Sequence, residues 1–198
     1  MPLQQQLLEL QWVQLKHDEA YHKDVVILPL AQRIKHMALH NAKYAAYLLE
    51  TIETGDKDRL LKIITDVFVI TLASTNTLNQ NLGRELGNLL QESASLTSLG
   101  AALVAALPRD DADSLWIVRA LIRHNGRLAK ACESWDHLED ILFREVMRSC
   151  NLAVLKVVLA EASARGLDLV EAYKSRIREV EERSIFDCYY REGAGGEA

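Results

Sequence analysis

His40-Asn41-Ala42-Lys43-Tyr44-Ala45 and His124-Asn125-Gly126-Arg127-Leu128-Ala129 are two similar stretches, each inside a long helical pattern. Each leads into a charged break, a second long apolar helix, a short turn and a third helix. The order of these features is the same in both halves of the chain, although few residues are identical. The sequence therefore predicts an all-α protein that arose by tandem duplication.

The spacing of the two halves supports this interpretation. The interval from His40 to Leu82 is only three residues shorter than that from His124 to Leu169. We expect residues 1–98 to form the first helical repeat, 99–190 the second, and 191–198 a flexible tail. Each half alone has too few helices to bury its apolar faces, so we expect one compact bundle with pseudo-two-fold symmetry.

Composition limits the classes of function. The chain has 198 residues, of which 49% are hydrophobic, and its net charge of −5 predicts no nucleic-acid partner and no binding to an anionic membrane. No basic leader and no long uncharged apolar run is present, so neither a signal peptide nor a membrane span is expected. The three cysteines are widely spaced, which favours reduced thiols and a cytoplasmic location.

Several motifs together carry a resemblance to a known family. They are Leu10-Gln11-Trp12 in the leading helix, Leu39-His40 in the next, the run Ile64–Ala73 followed by Asn79–Leu82, and Gly166–Leu169 in the second half. This arrangement resembles the MazG-like superfamily of all-α nucleoside triphosphate pyrophosphohydrolases. The resemblance implies helical repeats and a Mg²⁺ ion held by ExxE and ExxD pairs on successive helices.

Most of the implied carboxylates are absent from this chain. The ExxE positions fall on Asn41 and Tyr44, or on Tyr44 and Tyr47, and the ExxD positions fall on Ile63 and Asp66. The matching positions of the second half are not acidic: they are Asn125 and Leu128, or Leu128 and Ala131, then Cys150 and Ala153. One carboxylate cannot build a magnesium site, so the resemblance implies an inherited fold without the standard catalysis.

Basic residues beside the two matching histidines suggest an anion-binding surface. The candidates are Lys35, His40, Lys43, Arg119, Arg123, His124 and Arg127. Such helix faces can hold phosphate through arginine forks or lysine charges. The alternative is a solvated face, paired with acids such as Asp111 and Asp113.

Three further features are candidates for metal or acid–base chemistry. Asp66 could serve as a residual metal ligand or base, or as a structural carboxylate paired with Lys43 or a histidine. His36 and His40 lie one helical turn apart and could bind a transition metal, or could act as polar anchors between helices. The stretch His17-Asp18-Glu19 and the nearby His22 and Asp24 form a second possible metal cluster, or a charged helix end.

These observations predict a degenerate MazG-like pseudoenzyme that binds a nucleotide, another phosphorylated ligand or a protein partner, with a homodimer as a compatible state. One alternative is a Mg²⁺-dependent pyrophosphohydrolase that uses relocated carboxylates such as Asp66, Asp18 and Glu19. The other is a purely structural oligomerisation module. The sequence leaves open whether the chain is an enzyme.

Overall fold

A computed structural model describes residues 2–91, 93–108 and 113–194 of the chain. Within these ranges the chain forms helices, turns and no strand, which confirms the all-α prediction. The described residues form ten α-helices: α1 (Leu3–Tyr21), α2 (Lys23–Val26), α3 (Leu30–Thr54), α4 (Lys57–Thr77), α5 (Leu82–Leu86), α6 (Leu96–Ala106), α7 (Trp116–Asp136), α8 (Phe143–Ala164), α9 (Leu169–Glu181) and α10 (Asp187–Ala194). A 3₁₀ turn, Gly87–Leu90, follows α5.

Local sequence signals fix the corner between α3 and α4. Gly55 ends α3 with a φ of 72°, a left-handed conformation that costs glycine little. The side chain of Asp56 then accepts a hydrogen bond from the Arg59 N–H and caps α4. A glycine followed by an aspartate between two apolar helical patterns predicts a helix end and the next N-cap, and the structure confirms both roles.

Similar caps open α5 and α9. Asn81 and Asp168 each precede an apolar helical pattern, which predicts an N-cap at both positions. Asn81 accepts a hydrogen bond from the Arg84 N–H at the start of α5. Asp168 accepts from the backbone N–H groups at the start of α9, after Gly166 adopts a φ of 66°. Both predicted caps are confirmed.

Two helix starts differ from the sequence expectation. The apolar pattern predicts that α8 begins at Leu138, but the helix begins at Phe143. Leu138 takes a φ of 55°, and Glu139 accepts a hydrogen bond from Ser134 instead of heading the helix. The alanine-rich pattern predicts that α6 begins at Leu99, but the helix begins at Leu96, since Ser95 and Ser98 form a reciprocal capping box.

The C-terminal part of the chain also departs from the predicted helix ends. The helical pattern after Asp168 predicts a helix as far as Phe186, but α9 ends at Glu181. Helix α10 then extends to Ala194, into the segment predicted as the tail. Residues 195–198 of that tail lie outside the described residues. So do Arg109–Ala112, which belong to the predicted charged break before α7.

Helix α4 is the centre of the core. Ile64, Val67, Phe68 and Leu72 are fully buried on it, and each stabilises the fold by roughly 1.5–3 kcal/mol relative to an exposed position. Helix α4 is also the one described helix long and apolar enough to cross a membrane, but 61% of its apolar window is buried inside the protein. It therefore has the burial of a core helix.

Four helices from both ends of the chain pack around α4. Helices α1, α3, α8 and α9 all pack on α4, and α3 also packs on α7. Polar side chains face one another where α1, α3, α4 and α9 converge. A cavity lies at this convergence, next to the short helix α2.

Candidate functional site

The cavity has a volume of about 200 Å³ and is lined by both apolar and ionisable side chains. Its apolar lining includes Val25 and Val26 from α2, Val69 and Ile70 from α4, and Ile177 from α9. The ionisable lining comes chiefly from α1 and α3, together with one ion pair between α4 and α9. This combination of apolar walls and a few polar groups is typical of ligand pockets.

The α1 side of the pocket carries a compact cluster of potential metal ligands. One donor atom from each of His17, Asp18 and His22 can be chosen so that all three lie within 4.8 Å of one another. His17 is only 5% exposed, and its Nδ1 lies 3.2 Å from Oε1 of Glu181 on α9. The carboxylate holds the buried imidazole in place and leaves Nε2 for another partner.

Gln14 completes the polar group on α1. Its Nε2 donates a 2.8 Å hydrogen bond to Oδ1 of Asp18. Its Oε1 is buried and, among the described residues, has no hydrogen-bond partner. A buried acceptor without a donor is costly, and Gln14 lines the pocket, so a donor inside the pocket could satisfy this oxygen.

Burial sets the protonation of this cluster. It raises the pKa of Asp18 to about 6, although the hydrogen bond from Gln14 opposes the shift. Burial lowers the pKa of His17 and also that of His22. At neutral pH both imidazoles are therefore neutral and the carboxyl is mostly ionised, which are the forms that bind metal ions.

The α3 side of the pocket presents Arg33, His36 and His40 on one helix face. The rings of His36 and His40 are 4.6 Å apart. Burial, followed by the charge of Lys43, lowers the pKa of His40 to about 4, and Lys43 Nζ donates to His40 Nδ1 at 3.2 Å. The histidine is thus a neutral acceptor at physiological pH.

Arg33 is a cation of the pocket whose side chain forms no ion pair with any residue that the structure describes. Its Nε is buried, and no residue in the described part of the chain accepts a hydrogen bond from that atom. The other arginine of the pocket, Arg176, is different because it is fully engaged by acids. Arg33 alone therefore offers an unused guanidinium donor to a ligand.

Asp66 forms an ion pair with Arg176 across the α4–α9 contact. Arg176 Nε donates to Oδ1 at 2.5 Å and its terminal nitrogen donates to Oδ2 at 3.3 Å. The sequence suggested Lys43 or a histidine as the partner of a structural Asp66, but the partner is an arginine more than 100 residues away in the chain. Both carboxylate oxygens accept a hydrogen bond from Arg176, and this ion pair favours the charged form of Asp66 as a structural carboxylate between α4 and α9.

The predicted anion-binding residues are distributed over different surfaces. His40 lines the pocket. Lys35 pairs with Asp136 at 2.6 Å, and Lys43 lies above the Tyr44 ring at 4.5 Å. Arg119 is ion-paired with Asp113. The structure does not gather these residues into one site.

The remaining members of that set lie on α7. Arg123 and Arg127 are exposed, while His124 is half-buried and its Nδ1 has no partner among the described residues. They are away from the lining of the pocket. Burial, and then the charges of both arginines, lower the pKa of His124.

The residues at the MazG-like motif positions do not fit a magnesium ion. Asn41 and Tyr44 are buried on α3, and neither supplies a carboxylate. Asp66 is committed to Arg176. Among the described residues, the only close group of potential ligands contains one carboxylate and two histidines, whereas Mg²⁺ prefers several oxygen ligands.

Several residues of the pocket were not singled out from the sequence. Arg33 could have been found, because it lies three residues before His36 and seven before His40 on one helix face. Gln14 likewise precedes Asp18 by one helical turn. Arg176 and Glu181 could not, since only the packing of α9 brings them to residues of the first half.

Comparison with known family models, curated proteins and solved structures gave no match. The function is therefore inferred from the pocket itself.

Proposed function

We propose that this chain is a binding protein for a small phosphorylated ligand, built from two MazG-like helical halves that no longer hydrolyse nucleotides with Mg²⁺. The observation that carries the proposal is the buried, unpartnered Nε of Arg33 in the part of the pocket that the structure describes. Arginine binds phosphate oxygens through charge-assisted and often paired hydrogen bonds, so a phosphoryl group would satisfy this atom.

The size of the cavity narrows the ligand class. A cavity of about 200 Å³ holds a phosphate and a small organic group, whereas pockets for larger ligands typically measure roughly 300–1,000 Å³. Val69, Ile70 and Ile177 would contact the apolar part of such a ligand. A whole nucleotide would extend through the opening, so we favour a smaller phosphorylated metabolite over a nucleoside triphosphate.

The packing of the helices supports the proposed duplication. Helix α3 packs on α4, and α7 on α8; α3 also packs on α7, and α4 on α8. A two-fold relation between an α3–α4 pair and an α7–α8 pair would produce contacts of this kind. His40 and His124 occupy corresponding positions on α3 and α7, each with a lowered pKa.

The two alternatives are less well supported. A Mg²⁺-dependent hydrolase would need clustered carboxylates, but Asp66 is paired with Arg176 and the exposed Glu19 pairs with Lys16. A purely structural module would have no reason to retain an unpartnered buried arginine donor beside ionisable groups. We therefore retain ligand binding as the function.

Thermal unfolding with a panel of phosphates tests the proposal. Inorganic phosphate, ribose 5-phosphate and ATP would each be added in EDTA, and ribose 5-phosphate is expected to raise the Tm most. A ligand at 100 times its Kd stabilises the protein by about 2.7 kcal/mol, which corresponds to several degrees. Arg33→Gln should abolish this rise, because it removes the charged donor.

Arg123→Gln is the matched control, since Arg123 is exposed on α7 and away from the pocket. It should preserve the ligand-induced rise in Tm. The proposal is wrong if no phosphate stabilises the protein, or if Arg33→Gln and Arg123→Gln respond alike. A rise in Tm that appears only when Mg²⁺ replaces EDTA would instead favour the Mg²⁺-dependent hydrolase.

A further inference from the structure

We infer that the pocket also contains a binding site for a transition-metal ion, formed by His17, Asp18 and His22. One donor atom from each of the three side chains lies within 4.8 Å of the others, so small side-chain shifts would let a single ion contact all three. All three line the cavity, so an ion held there would be open to a ligand in the pocket.

Glu181 provides the outer-shell contact that metal-binding histidines require. Its Oε1 lies 3.2 Å from Nδ1 of His17, and the imidazole is 3% exposed. A carboxylate on one ring nitrogen fixes the orientation of the ring and raises the basicity of the other nitrogen. Glu181 lies on α9, so a metal ion would link α1 to α9 through this pair.

The amide oxygen of Gln14 is an independent observation that points to a ligand at this site. Its side chain is 1% exposed and lines the pocket, its amide nitrogen donates to Asp18, and its Oε1 has no partner in the described ranges. A water molecule bound to the metal ion could donate a hydrogen bond to this oxygen. Without such a donor, the buried oxygen has no hydrogen bond to replace the one that water supplies in the unfolded chain.

The ligand types indicate the class of metal. Two imidazoles and one carboxylate suit Zn²⁺, Fe²⁺, Co²⁺ or Ni²⁺, whereas Mg²⁺ prefers oxygen ligands alone. Three protein ligands leave at least one coordination position for water or another molecule. That position would face the pocket, as it does in metal sites that bind or activate a ligand.

This inference goes beyond the proposed binding of a phosphorylated ligand and does not depend on it. Arg33 on α3 carries that proposal, whereas the metal site rests on α1, His22 and Glu181. Because the phosphate assay is performed in EDTA, its failure would leave the metal result unaffected.

Titration of the full-length, tag-free chain with Co²⁺ and Zn²⁺ tests the metal site. We expect one ion per chain, visible as ligand-field absorption of bound Co²⁺ and its displacement by Zn²⁺, with no competition from excess Mg²⁺. His22→Ala should weaken binding at least about 10-fold, because it removes a direct ligand of the metal ion. His22 was chosen because its side chain is not fully buried. Glu181→Gln should weaken it about 10- to 100-fold through the outer shell.

His137→Ala is the control, because His137 is exposed in the turn after α7 and outside the pocket. It should bind Co²⁺ like the wild type. Circular dichroism would confirm that each variant is folded before titration. Absence of Co²⁺ binding by the wild type, or equal binding by His22→Ala and His137→Ala, would overturn the inference.

Discussion

Asp18 is a carboxylate held where solvation is poor. It receives one hydrogen bond, from Gln14, and burial raises its pKa to about 6. Above that pH the folded protein must keep a charge that water would solvate better in the unfolded chain. Such a cost is common at binding sites, where residues are selected for contact with a ligand.

Asp18→Asn should therefore stabilise the metal-free protein. The pKa is higher in the folded state than the ordinary value of 3.8, so the stability that Asp18 contributes is present below about pH 3.8 and is lost as the pH rises through about 6. Asparagine avoids this loss while it still accepts the bond from Gln14. Urea unfolding in EDTA should show a gain on the order of 1 kcal/mol at pH 8.

The gain from Asp18→Asn should shrink below pH 6 and vanish near pH 4. Asp140→Asn, at an exposed position in the turn before α8, should give no comparable gain at pH 8. If Asp18→Asn destabilised the metal-free protein at pH 8, Asp18 would be a stabilising residue and this account of its burial would be wrong.

At the scale of helices, two glycines have opposite surroundings, one crowded and one open. A Cβ on Gly100 of α6 would lie 2.5 Å from the Leu159 carbonyl oxygen of α8, so this glycine permits close helix packing. A Cβ on Gly126 of α7 would meet nothing within 4 Å. One position needs glycine for packing, and the other merely tolerates it within a helix.

The same substitution should therefore have opposite effects at the two sites. Gly100→Ala should destabilise the protein by about 1–3 kcal/mol, because backbone at Leu159 must move. Gly126→Ala should stabilise it by about 0.5–1 kcal/mol, because alanine favours helix and restricts the unfolded chain. Chemical denaturation of both variants gives the comparison; the same sign for both would contradict it.

Helix ends were predictable where one residue decides them. Asp56, Asn81 and Asp168 each cap a helix through contacts within three residues, so the sequence alone identified them. The start of α8 was not predictable, since Leu138 adopts a positive φ without being glycine. Its neighbour Glu139 bonds to Lys130 and Ser134 at the end of α7 instead of joining a helix.

At the scale of the whole molecule, the pocket depends on contacts between distant parts of the chain. Sequence spacing placed His17 near Asp18 and His22, and His36 one turn from His40, because those relations are local. It could not pair Asp66 with Arg176 or His17 with Glu181, because these partners are 110 and 164 residues apart in the chain. The sequence thus identified separate parts of the site, and the tertiary packing of the helices brings those parts together.

His40 on α3 and His124 on α7 should make the stability of the protein depend on pH. His40 and His124 both have lowered pKa values, chiefly through burial, with His40 at about 4. Their contribution to stability is therefore present above the unfolded value of about 6.5 and is lost as the pH falls towards the folded value. In EDTA, the free energy of unfolding should fall between pH 7.5 and 5.5.

A double variant isolates this effect from other titrating groups. His40→Gln combined with His124→Gln should reduce the loss between pH 7.5 and 5.5 by about 1 kcal/mol, a value kept small because both rings are partly exposed to solvent. Asp18 titrates in the same range with the opposite sign, but it is present in both proteins and cancels in the difference. His137→Gln, at an exposed turn, should leave the pH dependence as in the wild type. An unchanged pH dependence in the double variant would mean that the two histidines are protonated as readily in the folded chain as in the unfolded one, and burial on α3 and α7 would then have no electrostatic consequence.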